Sequence, residues 1–485
     1  MHPIIIQGGM GVGVSSWQLA RKVASLGHLG VVSGTAVAVT VARRLAVGDD
    51  GGHIRRALDH FPIADMAARV YERHFRRSGP GGQKFRGLPS PTVDPGPALQ
   101  ELTVVASFVE VFLAREGTDG PVGVNLLEKI QLPTLPSLYG AMLADVDYVL
   151  MGAGVPVRIP AIIDRLAKHE DAAMPVDIAG DERGTKVESR FSPRAFFGEQ
   201  EPPAIRRPNF LAIVSSATLA TYLDRNSSGS PDGFVIEMPK AGGHNAPPRG
   251  RMKLDDAGEP VYGPRDAIDL DAIRALGKPF WLAGGYATPE GLREALAAGA
   301  TGVQVGTAFA LCDESGLAPS LKQRLIDKVL AGTARVRTDA KASPTGFPFK
   351  VAEVEGTLSH EDVVEARPRK CDLGYLREPY RRDDGKIGYR CASEPIDDYV
   401  AKGGDIEETK GRLCLCNGLL ATIGLAQQRD DGYEESELVT AGDDLTAIGR
   451  YLSEGSTSYS AADVIHYLLQ AISPGAPATA SATIA

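Results

Sequence analysis

The sequence predicts an α/β fold, a TIM (β/α)8 barrel with long insertions and an additional mixed C-terminal domain. Three observations support this prediction. Short apolar runs alternate with helical patterns, each run has the continuous apolar character of a strand buried on both faces, and the alternation stops beyond residue 335. Eight such runs match the strand number of a TIM barrel. They are residues 3–7, 29–34, 122–127, 148–152, 210–216, 233–238, 279–285 and 302–309.

Helix signals between the runs agree with β/α units. The first run passes through a glycine-rich turn into an amphipathic helix that is expected to open at Ser15 or Ser16. Between the last two runs, Thr288 is the expected N-cap, Pro289 takes the first helical position and Gly299 follows the helix end.

The glycine-rich turn at residues 8–13 raises the question of whether it binds a dinucleotide. A Rossmann fingerprint requires a third glycine and, after the next strand, an acidic residue for the ribose. Here Gly11 and Gly13 are followed by Ser16, and the first carboxylate of the chain is Asp49. The sequence therefore argues against dinucleotide binding at this turn.

The predicted barrel spans residues 1–335 and is interrupted twice, at about 37–121 and 153–209. Both intervals are much longer than ordinary β/α connections, so they are expected to carry structure of their own. Residues 336–472 form the predicted C-terminal domain with the cysteine cluster, and residues 473–485 are predicted to be a disordered tail.

The composition is that of an ordinary soluble protein of 485 residues, with 43% hydrophobic and 23% charged residues. The 52 basic and 61 acidic residues give a formal net charge of -9, and there is no basic stripe with interleaved aromatics, which argues against nucleic-acid binding. Neither a leader nor a membrane-spanning run is recognised, so we expect a cytoplasmic protein with a small-molecule substrate and no membrane partner. The oligomeric state is left open.

The ends of the last two predicted strands form the first candidate site. In TIM barrels a phosphate often binds the loops after strands seven and eight. Gly284 and Gly285 allow a phosphate to approach the backbone, and the N–H groups of Gly306 and Thr307 with the threonine hydroxyl complete a cradle. Strand ends are also glycine-rich for packing reasons, so these residues alone leave both interpretations open.

The loop after the sixth run, IEMPKAGGHNAPPRG, holds the candidate catalytic residue. Gly242 and Gly243 make the loop flexible enough to place His244 over the barrel mouth, with Lys240 nearby. An imidazole titrates near neutral pH, as a general base requires. The alternative is that His244 is a solvated loop residue.

Four of the five cysteines fall close together beyond the predicted barrel. Four thiolates suit Zn²⁺ or an iron–sulfur centre. Their spacing fits no established motif, and buried free cysteines are common, so metal binding and simple burial both stay open. The candidate ligands are Cys371, Cys391, Cys414 and Cys416.

An ordered set of motifs resembles the nitronate monooxygenase family, once called 2-nitropropane dioxygenases. The motifs are PIIIQGGMGVG, GVNL, DYVLMGAGVP, AGGH, LAGGYATPEGLREALAAGATGVQVGTAF and SPTGFPFKV, within about residues 1–350. The chain is also similar to the larger flavin enoyl reductases associated with fatty acid and polyketide synthases. It departs from the small family members in its two insertions, in AGGHNAPPRG where AGGHxG is usual, and beyond residue 350.

The resemblance implies an FMN-dependent oxidoreductase, a flavoprotein monooxygenase that oxidises alkyl nitronates with O₂. It implies that His244 is the active-site histidine and that the first glycine-rich turn lines the flavin ring. Two alternatives stay open: an NAD(P)H-dependent enoyl-thioester reductase and a non-catalytic partner in a biosynthetic assembly. The cofactor-binding residues that the resemblance implies are Gly8, Gly9, Met10, Asn125, Gly284, Gly285, Gly306 and Thr307.

Overall fold

The computed structural model describes residues 2–76, 84–181, 186–226 and 229–472. The predicted disordered tail, residues 473–485, lies outside the described residues. The described strands are β1 (Ile5–Gln7), β2 (Gly30–Ser33), β3 (Val122–Leu127), β4 (Tyr148–Gly152), β5 (Ala172–Pro175), β6 (Glu188–Phe191), β7 (Asn209–Val214), β8 (Gly233–Glu237), β9 (Phe280–Ala283), β10 (Gly302–Val305), β11 (Val336–Asp339), β12 (Phe349–Ala352), β13 (Glu378–Arg381) and β14 (Ile387–Arg390).

Eight of these strands form one parallel sheet in the order β1-β10-β9-β8-β7-β4-β3-β2. The sheet closes into a barrel between β1 and β2, because Gln7 N donates to Leu29 O at 2.9 Å and Leu29 N donates to Ile5 O at 3.1 Å. The predicted TIM barrel is confirmed, and its eight strands are the eight predicted runs. The prediction was wrong in one detail: the run at 302–309 leaves the strand after Val305, and a short helix follows it.

The barrel has one core inside the sheet and a larger one between the sheet and its helices. Side chains alternate across each strand, so Ile5 packs outward and Ile6 inward. Trp281 fills much of the interior, and its Nε1 donates to Pro3 O at 2.7 Å. The interior is therefore packed below the mouth, which confines any ligand to the carboxyl ends of the strands.

The described helices surround the barrel and extend over its ends. Short 3₁₀ helices cover Asp50–Gly52, Pro264–Asp266, Ile406–Thr409 and Asp443–Tyr451. The α-helices are α1 (Trp17–Ser25), α2 (Val37–Ala46), α3 (His53–Leu58), α4 (Ala64–His74), α5 (Pro97–Arg115), α6 (Thr134–Leu143), α7 (Ile159–Ala167), α8 (Pro193–Phe197), α9 (Ala217–Asp224), α10 (Leu270–Arg274), α11 (Pro289–Ala297), α12 (Thr307–Ala310), α13 (Pro319–Leu330), α14 (Glu361–Ala366), α15 (Ile396–Ala401), α16 (Leu415–Ala421) and α17 (Ala461–Leu469).

The helix signals in the sequence act as predicted. Ser16 caps α1 by accepting from Leu19 N at 3.3 Å, and Thr288 caps α11 by accepting from Gly291 N at 2.9 Å. Both long intervals carry structure of their own: α2 to α5 lie in the first, and α7, α8 and the antiparallel β5–β6 pair lie in the second.

Residues 336–472 pack closely against the barrel. Helix α17 contacts α1 and α11, and two tyrosine hydroxyls donate to barrel carbonyls at 2.7 Å: Tyr451 to Ala287 O and Tyr459 to Ala308 O. Antiparallel pairs β11–β12 and β13–β14 lie in the same segment. That this segment forms a domain of its own stays a prediction.

One described helix, α5, is long and apolar enough to cross a membrane by length and composition alone. It is 72% buried inside the protein and packs against α1, α2 and α6. The core helix of a soluble protein passes the same test, so α5 is weak support for a membrane span.

Candidate active site at the barrel mouth

A cavity of about 230 Å³ lies at the carboxyl ends of the barrel strands, and we call it the mouth cavity. It is lined by the turns after β1, β3, β8, β9 and β10. The structure therefore brings all the predicted cofactor-binding residues and the predicted catalytic histidine around one space, while their roles stay predictions. These residues are Gly8, Gly9, Met10, Asn125, His244, Gly284, Gly285, Gly306 and Thr307.

The first glycine-rich turn is held in place by Gln7 and Ser15. Gln7 Nε2 donates to Ser15 Oγ at 2.8 Å, and Met10 N donates to the same hydroxyl oxygen at 2.8 Å. Gly9 lies directly against Asn125, since a Cβ at Gly9 would be 2.1 Å from Asn125 Cβ. The close approach explains the glycine, and it leaves the backbone of this turn facing the cavity.

Two buried amide oxygens in the cavity wall have no hydrogen-bond partner within the described part of the chain. They are Asn125 Oδ1 on β3 and Gln304 Oε1 on β10. An unpaired buried polar atom costs free energy, so each requires a bound donor. Together with the backbone of Gly9, they form a polar part of the wall that suits a heterocycle with N–H groups. We call this the ring end of the cavity.

The same cavity wall contains the predicted phosphate cradle. Gly284 and Gly285 have φ values of 84° and 97°, a left-handed conformation that favours glycine. Thr307 Oγ1 accepts from Gly442 N at 2.8 Å, which leaves its hydroxyl hydrogen for another acceptor. We call this group the phosphate end.

A carboxylate also lies at the phosphate end. Asp444 lines the cavity and accepts from the Gly285 backbone, and burial raises the pKa of its carboxyl while the neighbouring Asp443 raises it further. Lys240 lines the same end and acts in the opposite direction on that pKa. A phosphate would therefore meet a cation and an acid side by side.

The donor and acceptor set fits FMN. The ring end supplies two unpaired acceptors, and the phosphate end supplies the Thr307 hydroxyl, the Lys240 ammonium and the glycine turns. A second adenylate unit finds no acidic ribose ligand in the first turn. Asp444, at the phosphate end, opposes a phosphate dianion.

His244 is fixed over the mouth by β12. Asn245 N donates to Pro348 O and Lys350 N donates to Gly243 O, both at 2.9 Å, and the imidazole packs edge-on against Phe349 with ring centroids 4.9 Å apart. Burial, with a smaller contribution from Lys129, lowers the pKa of His244 to about 3. The ring is therefore neutral at pH 7, and the prediction that it titrates near neutrality is not met here.

A chain of polar side chains connects His244 to Lys129. His244 Nε2 lies 2.7 Å from Ser343 Oγ, which lies 2.8 Å from Thr345 Oγ1. Lys129 Nζ is 3.5 Å from Thr345 Oγ1 and 2.8 Å from the centroid of the Phe347 ring. Burial lowers the pKa of Lys129 to about 7, so this amine exchanges protons near neutral pH.

A second, wider space adjoins the mouth cavity, and we call it the side cavity. Its volume is about 680 Å³, and Ala153 and Leu376 line both cavities. Lys129 and Thr345 stand in its wall. Apolar and charged side chains alternate around it, which suits a long amphipathic ligand. The apolar members include Val155, Val157, Ile159, Met174 and Phe347, and the charged members include Glu128, Arg158, Asp177, Arg377, Glu408 and Arg412.

The four clustered cysteines lie beside the mouth, where Cys416 contributes to the cavity wall. All four sulfur-bearing residues, Cys371, Cys391, Cys414 and Cys416, line one small separate cavity. None is in a disulfide. Over the described ranges, no three His, Cys, Asp or Glu side chains are arranged to hold a metal ion.

Sequence reasoning missed several residues of this site. Gln304 was recoverable, since the alternation in GVQV turns it toward the barrel interior. Glu237, the last residue of β8, also lines the mouth, and burial raises its carboxyl pKa to about 7. Lys129, Ser343 and Asp444 carried no local signal because the fold brings them in from distant segments.

The geometry defines a class of protein: a parallel (β/α)8 barrel with a cofactor-sized cavity at the carboxyl ends of its strands. Residues 198–343 match the family model described as nitronate monooxygenase. The predicted resemblance to the nitronate monooxygenase family is thereby confirmed over this range.

Curated relatives match part of the chain. The nitronate monooxygenase of Pseudomonas aeruginosa is 30% identical over 241 residues, covering 48% of this chain and 64% of that protein. The (3aS,4S,5R,7aS)-5-hydroxy-7a-methyl-1-oxo-octahydro-1H-indene-4-carboxyl-CoA dehydrogenase of Mycobacterium tuberculosis is 26% identical over 219 residues, covering 43% of this chain and 57% of that protein. The chain thus spans less than two thirds of these relatives.

Similar solved structures include FabK from Thermotoga maritima, with a TM-score of 0.47 and 17% identity over 97% of this chain and 92% of that chain. The enoyl reductase domain of MlnA from the macrolactin biosynthesis cluster of Bacillus amyloliquefaciens has a TM-score of 0.46 and 12% identity over 97% of this chain and 94% of that chain.

Proposed function

We propose that this protein is an FMN-dependent oxidoreductase that reduces the carbon–carbon double bond of an acyl thioester with electrons from NAD(P)H. The observation that carries the proposal is the side cavity of about 680 Å³ next to the mouth cavity. A small nitronate needs far less room, whereas cavities of several hundred Å³ hold drug-sized ligands. The mycobacterial relative, which by its name acts on a carboxyl-CoA compound, supports the same substrate class.

The mixed lining of the side cavity suits the two parts of a thioester. Val155, Val157 and Met174 offer apolar surface to an acyl chain or a thiol arm. Arg158 and Arg377 offer donors to the amides and phosphates of a carrier. The reacting carbons would then lie near Ala153 and Leu376, where the two cavities meet.

FMN held by the mouth-cavity residues would supply the hydride chemistry, from NAD(P)H to the substrate β-carbon. The chain's own residues must then deliver a proton to the α-carbon. His244 is neutral, so it can take up a proton at Nε2 from Ser343 while releasing one from Nδ1. The Lys129 ammonium replaces that proton through Thr345 and Ser343, and the amine is left neutral.

A second candidate is oxidation of alkyl nitronates with O₂. The match of residues 198–343 to the nitronate monooxygenase model favours it, and this range contains His244. A neutral imidazole can donate a hydrogen bond to an anionic nitronate that is already deprotonated. With a pKa of about 3 it is a weak base for a neutral nitroalkane. This candidate therefore predicts activity on nitronates well above that on nitroalkanes.

Anaerobic mixing separates the two functions. We expect NADPH or NADH to bleach the flavin absorbance and a crotonyl-pantetheine thioester to restore it. Bleaching by propionate 3-nitronate, with no response to either nicotinamide, would favour nitronate oxidation instead. If none of these compounds changes the flavin spectrum, the non-catalytic role in an assembly gains support. We also propose a cytoplasmic location, which fits a buried α5 and a soluble barrel.

A matched pair of substitutions tests the side cavity. Val155 and Val261 are comparably exposed, at 45% and 47%, but only Val155 is in the cavity wall. We expect Val155→Trp to raise KM for a long-chain enoyl thioester about 10-fold and to leave KM for a nitronate unchanged. Val261→Trp should change neither constant. Equal KM values for both variants and the parent would remove the side cavity from the substrate path.

A further inference from the structure

The four clustered cysteines come from three separate segments that meet at one point. Cys371 lies in the loop after α14, Cys391 directly follows β14, and Cys414 and Cys416 stand at the start of α16. All four line the same small cavity. Cys391 and Cys414 are only 7% and 9% exposed, so the cluster is shielded from water. Four thiols gathered by chance from three segments are uncommon, so the arrangement requires a cause.

Each of the four sulfurs has a backbone N–H group directed at it. Hydrogen bonds to sulfur are a recurring feature of iron–sulfur sites. Asn417 Nδ2 adds a side-chain donor, 3.6 Å from Cys414 Sγ. The backbone donors and their acceptors are Gly374 to Cys371, Ser393 to Cys391, Asn417 to Cys414, and Tyr375 and Leu376 to Cys416.

Arginine side chains surround the cluster. Arg367 interacts electrostatically with Cys414, and Arg369 interacts with Cys391 and Cys414. Arg377 interacts with Cys371. Two buried acids on this side are already paired: Glu435 with Arg367 at 2.7 Å, and Glu394 with Lys402 at 2.9 Å. The environment therefore suits a group that carries net negative charge once four thiolates bind it.

The spacing distinguishes a cluster from a single ion. Cys371 and Cys391 are in hydrogen-bond contact, yet no three such ligands among the described residues converge as the ligands of one ion do. The thiols instead line a small cavity of about 10 Å³. Zinc in a structural site needs four ligands about 2.3 Å from one centre, whereas an iron–sulfur core is a larger body held at its corners.

We propose that Cys371, Cys391, Cys414 and Cys416 hold an iron–sulfur cluster against the wall of the mouth cavity. Cys416, Leu415 and Leu376 line both the mouth cavity and the cysteine cavity, so the cluster would be a direct neighbour of the mouth. The proposal rests on ligands that are separate from the cofactor-binding residues, and it stands whether the substrate is a thioester or a nitronate.

The test is elemental analysis of full-length protein purified without oxygen. We expect iron and acid-labile sulfide in equal amounts, and an electron paramagnetic resonance signal after dithionite reduction. About one Zn²⁺ per chain without sulfide would overturn the cluster and keep the four-thiolate ligand set. If the folded protein contains no metal, and all five cysteines react as free thiols or some form a disulfide, the proposed metal site would be contradicted altogether.

Substitution of a cysteine outside the cluster is the control for substitution of a proposed ligand. Cys312 is the fifth cysteine; it is buried on the barrel and donates to Phe309 O at 3.1 Å, away from the cluster. We expect Cys414→Ser to lose at least half of the iron and Cys312→Ser to retain all of it. If Cys414→Ser fails to fold, the iron, sulfide and resonance measurements on the unmodified protein still decide the outcome. Equal iron in both variants would contradict the ligand assignment.

Discussion

The mouth cavity and the side cavity differ in how they are built. The mouth cavity, about 230 Å³, is formed mostly by glycine-rich turns at the ends of barrel strands. The side cavity, about 680 Å³, is formed by the turn after β3, the segment after β4, the β5 strand and residues 344–412. The first therefore depends mostly on the barrel strand ends, and the second depends mostly on the segments added to the barrel.

This difference separates cofactor binding from substrate choice. The barrel places backbone groups and the Asn125 and Gln304 amides in fixed positions, as a cofactor requires. The added segments supply long charged and apolar side chains such as Arg158 and Met174, which can change without disturbing the barrel. Relatives with the same barrel can then act on different substrates.

The largest expected effect is that of His244→Ala, in the wall of the mouth cavity. We expect enoyl-thioester turnover to fall about 10² to 10⁴-fold, because the last proton donor is lost, while FMN stays bound. His466→Ala, an exposed histidine on α17, is the control and should retain full turnover. Steady-state rates and flavin content measure both. Equal turnover of the two variants would return His244 to a solvated-loop role.

Lys129 connects the two cavities. It lines the side cavity and reaches His244 in the mouth cavity through Thr345 and Ser343. Its pKa is lowered to about 7 by burial, so the ammonium donor prevails below pH 7 and is lost as pH rises. We expect kcat to fall above pH 7, by about 10-fold for each further pH unit once the amine is mostly neutral. A flat profile from pH 6 to 9 would contradict the donor role.

Lys129→Arg provides the control for this profile. Arginine keeps its proton across the range and cannot pass it on, so this variant should turn over slowly at every pH and show no alkaline fall. If the fall persists, it belongs to another group, and Glu237 is the first candidate because burial raises its pKa to about 7 as well.

The smallest expected effect is at the phosphate end of the mouth cavity. Asp444→Asn removes the carboxylate that accepts from Gly285, and with it the repulsion of a phosphate dianion. We expect the Kd for FMN, measured by fluorescence quenching on apoprotein, to fall about 3- to 10-fold at pH 8. Asp271→Asn, on the surface of α10, is the control. Weaker binding in Asp444→Asn would show that the carboxylate holds the turn rather than opposes the ligand.

The sequence predicts the barrel better than it predicts the regions added to it. Strands such as β4 and β8 are buried on both faces, so their continuous apolar runs can be recognised in the sequence. Helix α11 can be recognised from its N-cap, Thr288, and from Gly299 just after its end. The glycines of the mouth could be placed because strand ends meet in a barrel.

The remaining parts of the site depend on contacts between distant segments. Lys129 and Ser343 are 214 positions apart by their numbers, and only the fold joins them through Thr345. Asp444 reaches the phosphate end from beyond the predicted barrel. No local periodicity encodes such contacts, which is also why His244 looked like an ordinary titrating base: its pKa is set by burial under β12.

The central claim is that the mouth cavity binds FMN, and the most direct measurement is to identify the cofactor. Purified protein should be yellow, and heat-released cofactor should be FMN by mass, about one per chain. Glycine-to-alanine substitution at Gly9, where a Cβ would lie 2.1 Å from Asn125 Cβ, should abolish that binding. A released cofactor that carries an adenylate, or a protein that stays colourless after incubation with flavin, would contradict the account.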